Sequence, residues 1–265
     1  MSLNIGSLFS VEGKTFVVTG GASGIGYMIA DGLVQNGAKV YIVSRQEKYL
    51  KEASDKLSAA GPGSCHYLVC DLMEYEQVVD LAAKLAELEP QGIYGLVNNA
   101  GICHVEPIET HSDKQFHDNL VMDLQRPFTL SQLLLPLLKL RASEEDPARI
   151  IHISSISGMV VAPIDSLGYS AAKAGLVHLT REMSNKLAKD NITVNCIAPG
   201  PFPSRMTEKP IEEKTWDIKT CIPLGRIGNS ADAAGAVIYL CSRAGSIVSG
   251  VTIAVDGGLT SKPFF

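Results

Sequence analysis

Three observations predict a doubly wound α/β fold for this chain of 265 residues. Short β-rich runs alternate with helical stretches from end to end. The runs are near-continuously apolar, as strands covered on both faces are. No linker, repeat or low-complexity tract breaks the alternation, so residues 1–265 are read as one domain. Alternation at this spacing implies right-handed βαβ crossovers and a parallel sheet of about seven strands.

The first strand is expected at Thr15–Thr19, followed by a helix over 24–36 with Gly37 closing it as a C-terminal cap. Val40–Ser44 and a helix over 46–59 follow, then the strand Tyr67–Cys70 and a helix over 74–89 with Asp71 as N-cap. Gly95–Asn98 precedes a long helical stretch over 112–141, and Arg149–Ser154 precedes one over 168–189. Thr193–Ala198 runs into an irregular stretch, Pro199–Pro223, with five prolines and one tryptophan. That is too long for a simple connection and is read as a substrate lid. A helix over 230–243, capped by Ser230, and the strand Thr252–Val255 complete the pattern.

Composition narrows the function. A hydrophobic content of 46% and 24 glycines suit a well-buried core with many tight turns. No apolar run approaches the roughly 18–20 residues needed to span a bilayer. The first residues lack a basic segment followed by an apolar one, so a soluble, cytoplasmic protein is expected. A net charge of -5 without a basic block argues against nucleic acid as a partner. The six cysteines show no C-x-x-C pair and no histidine at zinc spacing, so buried free thiols and no metal are expected.

The chemistry is read from three places. Thr19-Gly-Gly-Ala-Ser-Gly-Ile-Gly follows the first strand and opens the first helix. Gly20, Gly24 and Gly26 let the backbone turn and approach a pyrophosphate at the helix N-terminus, with Ser23 and Ile25 between them in the turn. The second strand ends Val43-Ser44-Arg45. An acidic residue there would bind the ribose of NAD, whereas a small residue followed by arginine suits a 2′-phosphate, so the expected cofactor is NADP(H). Tyr169 and Lys173 stand four apart on one helix face, with Ser155 fourteen residues upstream. An ammonium beside a phenol stabilises the phenolate and is expected to lower the tyrosine's pKa. Together these residues can move a proton on and off a carbonyl or alcohol oxygen.

With these residues assembled, the chain resembles the short-chain dehydrogenase/reductase family over almost its whole length. The motifs arrive in family order: the glycine turn, Asp71-Leu72, Asn98-Asn99-Ala100-Gly101, Ser155, Tyr169-x-x-x-Lys173, Pro199-Gly200 and Val255-Asp256-Gly257-Gly258. Leu135–Arg149 and Ile197–Thr207 look like the branch of rhamnolipid-synthesis and β-ketoacyl reductases. The resemblance implies a Rossmann-type fold. It also implies that Asp71 binds the adenine amino group with Leu72 beside it, and that Asn98, Ala100 and Gly101 border the ribose and hold the sheet centre. Pro199, Gly200 and Ser204 would hold the nicotinamide carboxamide. Tyr169 would protonate the carbonyl oxygen, Ser155 would polarise it, and Lys173 would bind the nicotinamide ribose.

One position departs from the family. The fourth catalytic residue there is an asparagine, and alignment of 116–132 puts Asp123 in its place, with Asn119 one helical turn away. An aspartate would pair with Lys173 and alter the proton relay: either a conservative swap or specialised chemistry. His104 is either a loop histidine or a substrate contact. Asp165 is either a solvated loop acid or a site for a cationic substrate. Phe202 is a further substrate-contact candidate, and Met159–Pro163 reads as an apolar pocket wall.

These residues imply an NADPH-dependent reductase of a carbonyl compound. The alternatives are reduction of a C=N bond in natural-product metabolism, or a non-catalytic NADP(H)-binding scaffold. Apolar stripes on 112–141 (Leu133, Leu134, Leu137, Leu138) and 168–189 (Leu176, Leu179, Met183, Leu187) either pack on the sheet, as some of these residues must, or pair between subunits, as the family resemblance implies. A homotetramer is expected, or else a homodimer.

Overall fold

The computed structural model describes residues 2–161, 164–204 and 218–262. Seven strands form one sheet: β1 (Thr15–Thr19), β2 (Lys39–Ser44), β3 (Ser64–Val69), β4 (Gly95–Asn98), β5 (Ala148–Ile153), β6 (Ile192–Pro199) and β7 (Thr252–Val255). Their order is β3-β2-β1-β4-β5-β6-β7, and every pairing is parallel. The chain's direction of travel across the sheet reverses between β1 and β4. In such sheets a ligand crevice opens beyond the carboxyl ends of the strands at that switch point.

The helices are α1 (Gly24–Gln35), α2 (Glu47–Ser58), α3 (Tyr75–Leu88), α4 (Asp113–Leu120), α5 (Arg126–Arg141), α6 (Leu167–Leu187) and α7 (Ser230–Cys241), with single turns at Ile5–Leu8 and Ile218–Cys221. They cover both faces. Phe16, Val18, Val40 and Ile42 pack with Ile29 and Leu33 of α1, Leu50 and Leu57 of α2, and Val237 and Leu240 of α7. The alternate residues Val17, Tyr41 and Val43 pack with Leu81 and Leu85 of α3, Leu130 and Leu134 of α5, and Met183 of α6. Successive strand residues point to opposite faces, and both faces are buried. That is why the strands read as continuous apolar runs.

Local chemistry sets the element ends. Gly37 lies in the left-handed region at φ 81°, and the Gly37 and Ala38 amides donate to Val34 and Leu33. This pattern closes α1. Two expected caps are corrected. Asp71 does not cap α3; Glu74 precedes that helix, while the Asp71 carboxylate accepts from the Met73 amide in a turn of its own. Ser230 is the first helical residue of α7, and Asn229 caps it in a reciprocal box with Asp232. The expected helix over 112–141 is not continuous: a π turn at Val121–Gln125 separates α4 from α5.

Of the two readings of the apolar stripes on α5 and α6, the subunit itself takes most of each stripe. Leu134, Leu137, Leu138, Leu176 and Met183 are buried within the subunit, and Leu133, Leu179 and Leu187 are half-buried. They pack on their own sheet, leaving little of either stripe for a partner. Among the described residues no helix is long and apolar enough to cross a membrane.

Candidate active site

The site is built where β1, β4, β5 and β6 end. At the end of β1 the chain turns sharply, with Gly20 at φ 66° and Gly24 at φ 55°, conformations that favour glycine. A Cβ on Gly26 would lie 2.4 Å from the Gly20 oxygen and 2.4 Å from Asn99 Nδ2, so the turn closes only around hydrogen. Ser23 sits at the N-cap of α1 without using its side chain to cap it. The first amides of this twelve-residue helix are thus not taken up by the Ser23 side chain, which suits an anion at the helix N-terminus. Ile25 is half-buried against the core. The segment after β6 folds over the turn and brings Ser204 Cβ within 3.5 Å of where a Gly24 Cβ would stand. These features fit a dinucleotide's pyrophosphate.

The asparagine pair ties β4 to its neighbours. Asn98 is buried and donates to Ser131 Oγ at 3.0 Å, tying β4 to α5 as a residue at the sheet centre does, and it lines a small cavity with Thr19, Leu72 and Ala100. Asn99, absent from the expected site, ties β4 to β1: its amide donates to Thr19 Oγ1 at 2.9 Å and its Nδ2 to the Thr19 carbonyl at 2.8 Å. The doubled Asn98-Asn99 was the available signal.

At the end of β2, Ser44 is half-buried and the Arg45 side chain is 59% exposed. Arg45 Nη1 stands 3.9 Å from Asp71 Oδ2, so the expected phosphate and adenine residues meet in one surface pair. Leu72 is buried. Arg126, absent from the expectation, holds this wall: its Nε donates to the Leu72 carbonyl and its Nη2 to Met73 at 2.7 Å. Its only sequence signal was an arginine ahead of Pro127 in an apolar stretch.

Ser155 lies just beyond β5 and accepts from the Ser157 amide at 3.1 Å. α6 starts at Leu167 and turns Lys173 inward, one turn after Tyr169. Lys173 Nζ lies 5.5 Å from the Tyr169 ring centre, donates to the Ile153 carbonyl at 2.9 Å and stands 3.2 Å from Asp123 Oδ1. Asp123 sits in the π turn and is 0% exposed. Gly101 makes room for it, since a Cβ there would lie 2.5 Å from Asp123 Oδ1.

Electrostatics correct one expectation. Burial pushes the Tyr169 phenol above its usual range and Asp123 adds to the rise; Lys173 and Ser155 pull it down without overcoming the burial. Burial alone would lower the Lys173 ammonium, but Asp123 and Tyr169 hold it above its usual value. Burial also raises the Asp123 carboxyl, against the opposing pull of Lys173 and Asn119.

The substrate candidates separate. The loops bearing His104 and Asp165 are joined by a bond from the Glu106 amide to the Asp165 carbonyl at 3.0 Å. His104 is half-buried, with a buried Nε2 that has no hydrogen-bond partner among the described residues, and Asp165 is exposed. Phe202 is corrected: it is 2% exposed and lies in the core against Gly228, where a Cβ would fall 2.3 Å from its ring. Pro199 is buried, and Gly200 carries no side chain because Asp256 Cα would stand 2.9 Å from its Cβ. Of the expected lid, residues 205–217 lie outside the described residues.

A family model described as enoyl-(acyl carrier protein) reductase matches residues 20–260. The rhamnolipids biosynthesis 3-oxoacyl-[acyl-carrier-protein] reductase of Pseudomonas aeruginosa is 36% identical over 252 residues, covering 94% of this chain and 97% of that protein. The chain belongs to the short-chain dehydrogenase/reductase family. This family of oxidoreductases also includes a tropinone reductase homolog of Arabidopsis thaliana, 33% identical over 97% of this chain and 96% of that one. Among solved structures, the Pseudomonas aeruginosa RhlG/NADP active-site complex superposes with a TM-score of 0.92 at 36% identity, covering 96% of this chain and 99% of that one. The L-sorbose reductase of Gluconobacter frateurii, complexed with NADPH and L-sorbose, gives 0.88 at 27% identity over 96% and 99%. This short-chain dehydrogenase/reductase thus shares its whole architecture with cofactor-bound relatives.

Proposed function

We propose that this protein reduces the carbonyl group of a small or medium organic substrate with NADPH, Tyr169 acting as general acid. The observation that carries the reading is Tyr169 set between Ser155 and Lys173 beyond the sheet's carboxyl edge. NADPH, when bound, supplies the hydride. The glycine turn and the α1 amides hold its pyrophosphate, Arg45 takes the 2′-phosphate, and Asp71 and Leu72 meet the adenine. Lys173 holds the nicotinamide ribose, and Pro199, Gly200 and Ser204 border the carboxamide.

Ser155 donates a hydrogen bond to the substrate oxygen and polarises it. As hydride reaches the carbonyl carbon, the Tyr169 O–H breaks and its proton moves to that oxygen, leaving a phenolate beside Lys173. The upward push of burial on Tyr169 leaves the phenol protonated at neutral pH and makes the phenolate, the base that alcohol oxidation needs, scarcer still. Relatives and neighbours named as reductases support the same direction.

Asp123 supports a second reading, reduction of a C=N bond, since a buried carboxylate behind the site favours a cationic iminium. NADPH oxidation by ketones, β-keto esters, quinones and cyclic imines separates the two. Turnover of none of them, with NADPH bound, leaves the scaffold reading and refutes the proposal.

Subunit association belongs to the same proposal. Phe116, Phe128 and Leu140 are exposed on α4 and α5, which suits a homotetramer with a dimer as its half. A monomer mass by light scattering refutes it.

A further inference from the structure

We propose that Asp123 is a built-in counter-ion of Lys173, held by Asn119, and that this pair biases the site toward reduction and against alcohol oxidation. The inference rests on the reading of Tyr169 as the proton donor. In the family this position is an asparagine, a neutral amide. Here a carboxylate 3.2 Å from Lys173 Nζ sits in the π turn, fully buried. π turns interrupt helices mostly at functional sites.

Asn119 is also fully buried, one turn before Asp123. Its Nδ2 donates to the Ile102 carbonyl at 2.8 Å and to Asp123 Oδ2 at 3.3 Å. The carboxylate is therefore gripped on one oxygen by an amide and faces the ammonium with the other. A buried amide tied to the backbone after β4 is a positioning residue for Asp123, because it fixes the carboxylate where Gly101 leaves space.

The consequence is electrostatic. Lys173, with a smaller contribution from Ser155, stabilises the Tyr169 phenolate, the base required to take a proton from an alcohol. A carboxylate beside Lys173 cancels much of that positive charge at Tyr169. The phenol is kept as the acid that reduction uses, and the base needed for oxidation is scarce at neutral pH. The other groups facing the pair are Ser155 beyond β5, Cys103 after β4, His152 on β5 and Cys196 on β6. Burial holds the Cys103 thiol at about 11 and the His152 imidazole at about 3, so both are neutral at neutral pH.

The test is an ultraviolet titration of the Tyr169 phenolate in the NADP⁺ complex, taken as the protein minus its Tyr169→Phe variant. In an Asp123→Asn background the titration should fall by about one pH unit or more, a tenfold change in the phenol-to-phenolate ratio. Asn119→Ser should lower it part-way in the unmodified protein and not at all beside Asp123→Asn. With saturating ethyl acetoacetate and NADPH, and saturating ethyl 3-hydroxybutyrate and NADP⁺, Asp123→Asn should raise the ratio of the kcat for oxidation to the kcat for reduction at pH 7. An unmoved or raised titration overturns the counter-ion. Equal effects of Asn119→Ser in both backgrounds overturn the positioning role. Absence of turnover on both esters counts against carbonyl reduction, while the titration still decides the counter-ion.

Discussion

Replacing Arg45 with alanine should erase a preference for NADPH over NADH, and the structure sets its size. A guanidinium–phosphate hydrogen bond contributes about 1.5–3 kcal/mol when it is well formed. Two observations reduce that here. The Arg45 side chain is 59% exposed, so solvent and salt screen the contact. Arg45 must also loosen from Asp71, 3.9 Å away, an exposed pair worth about 0.2–1 kcal/mol. About 1–2 kcal/mol remains, close to a tenfold preference. Fluorescence titrations of both coenzymes at physiological salt measure it directly. Arg45→Ala should weaken NADPH binding to the level of NADH and leave NADH nearly unchanged, and raising the salt should narrow the gap in the unmodified protein. Equal affinities before mutation, or a preference that survives Arg45→Ala, would refute the reasoning.

Tyr169→Phe should abolish turnover with NADPH binding nearly intact, whereas Lys173→Ala should damage both; full activity in the phenylalanine variant would mean another group supplies the proton. Gly101→Ala puts a methyl 2.5 Å from Asp123 Oδ1 and should lose kcat more than tenfold, with about 1–3 kcal/mol of stability, and an unchanged kcat would show that Asp123 moves freely. His152 is fully buried, bonded through Nδ1 to Thr180 Oγ1 at 3.0 Å, and burial depresses its pKa from 6.5 to about 3. The unfolded chain therefore binds the proton first, so this group's stabilisation is complete above about 6.5 and is lost as pH falls toward 3. From pH 7 to 5 the loss is about 2 kcal/mol. In urea unfolding, His152→Gln should flatten the pH slope by that amount; an unaltered slope would mean that His152 is not the titrating group.

The alternation of strands and helices was legible because a parallel sheet buried on both faces demands continuous apolar runs, and helices demand their own period. The glycine turn, Ser155, Tyr169 and Lys173 were legible because each motif is local: a sharp turn needs glycine, and residues four apart share a helix face. The position of Asp123 came from alignment with a family pattern. Its pairing with Lys173 was expected from the same pattern, but the π turn that carries it and the grip of Asn119 were not, since both depend on how the helix packs against the ends of β4 and β5. Tertiary packing likewise placed Phe202 in the core and paired Arg45 with Asp71. It also reversed the expected shift of Tyr169. A sequence shows an ammonium within reach of a phenol, but desolvation belongs to the assembled site, and here burial outweighs the single favourable charge.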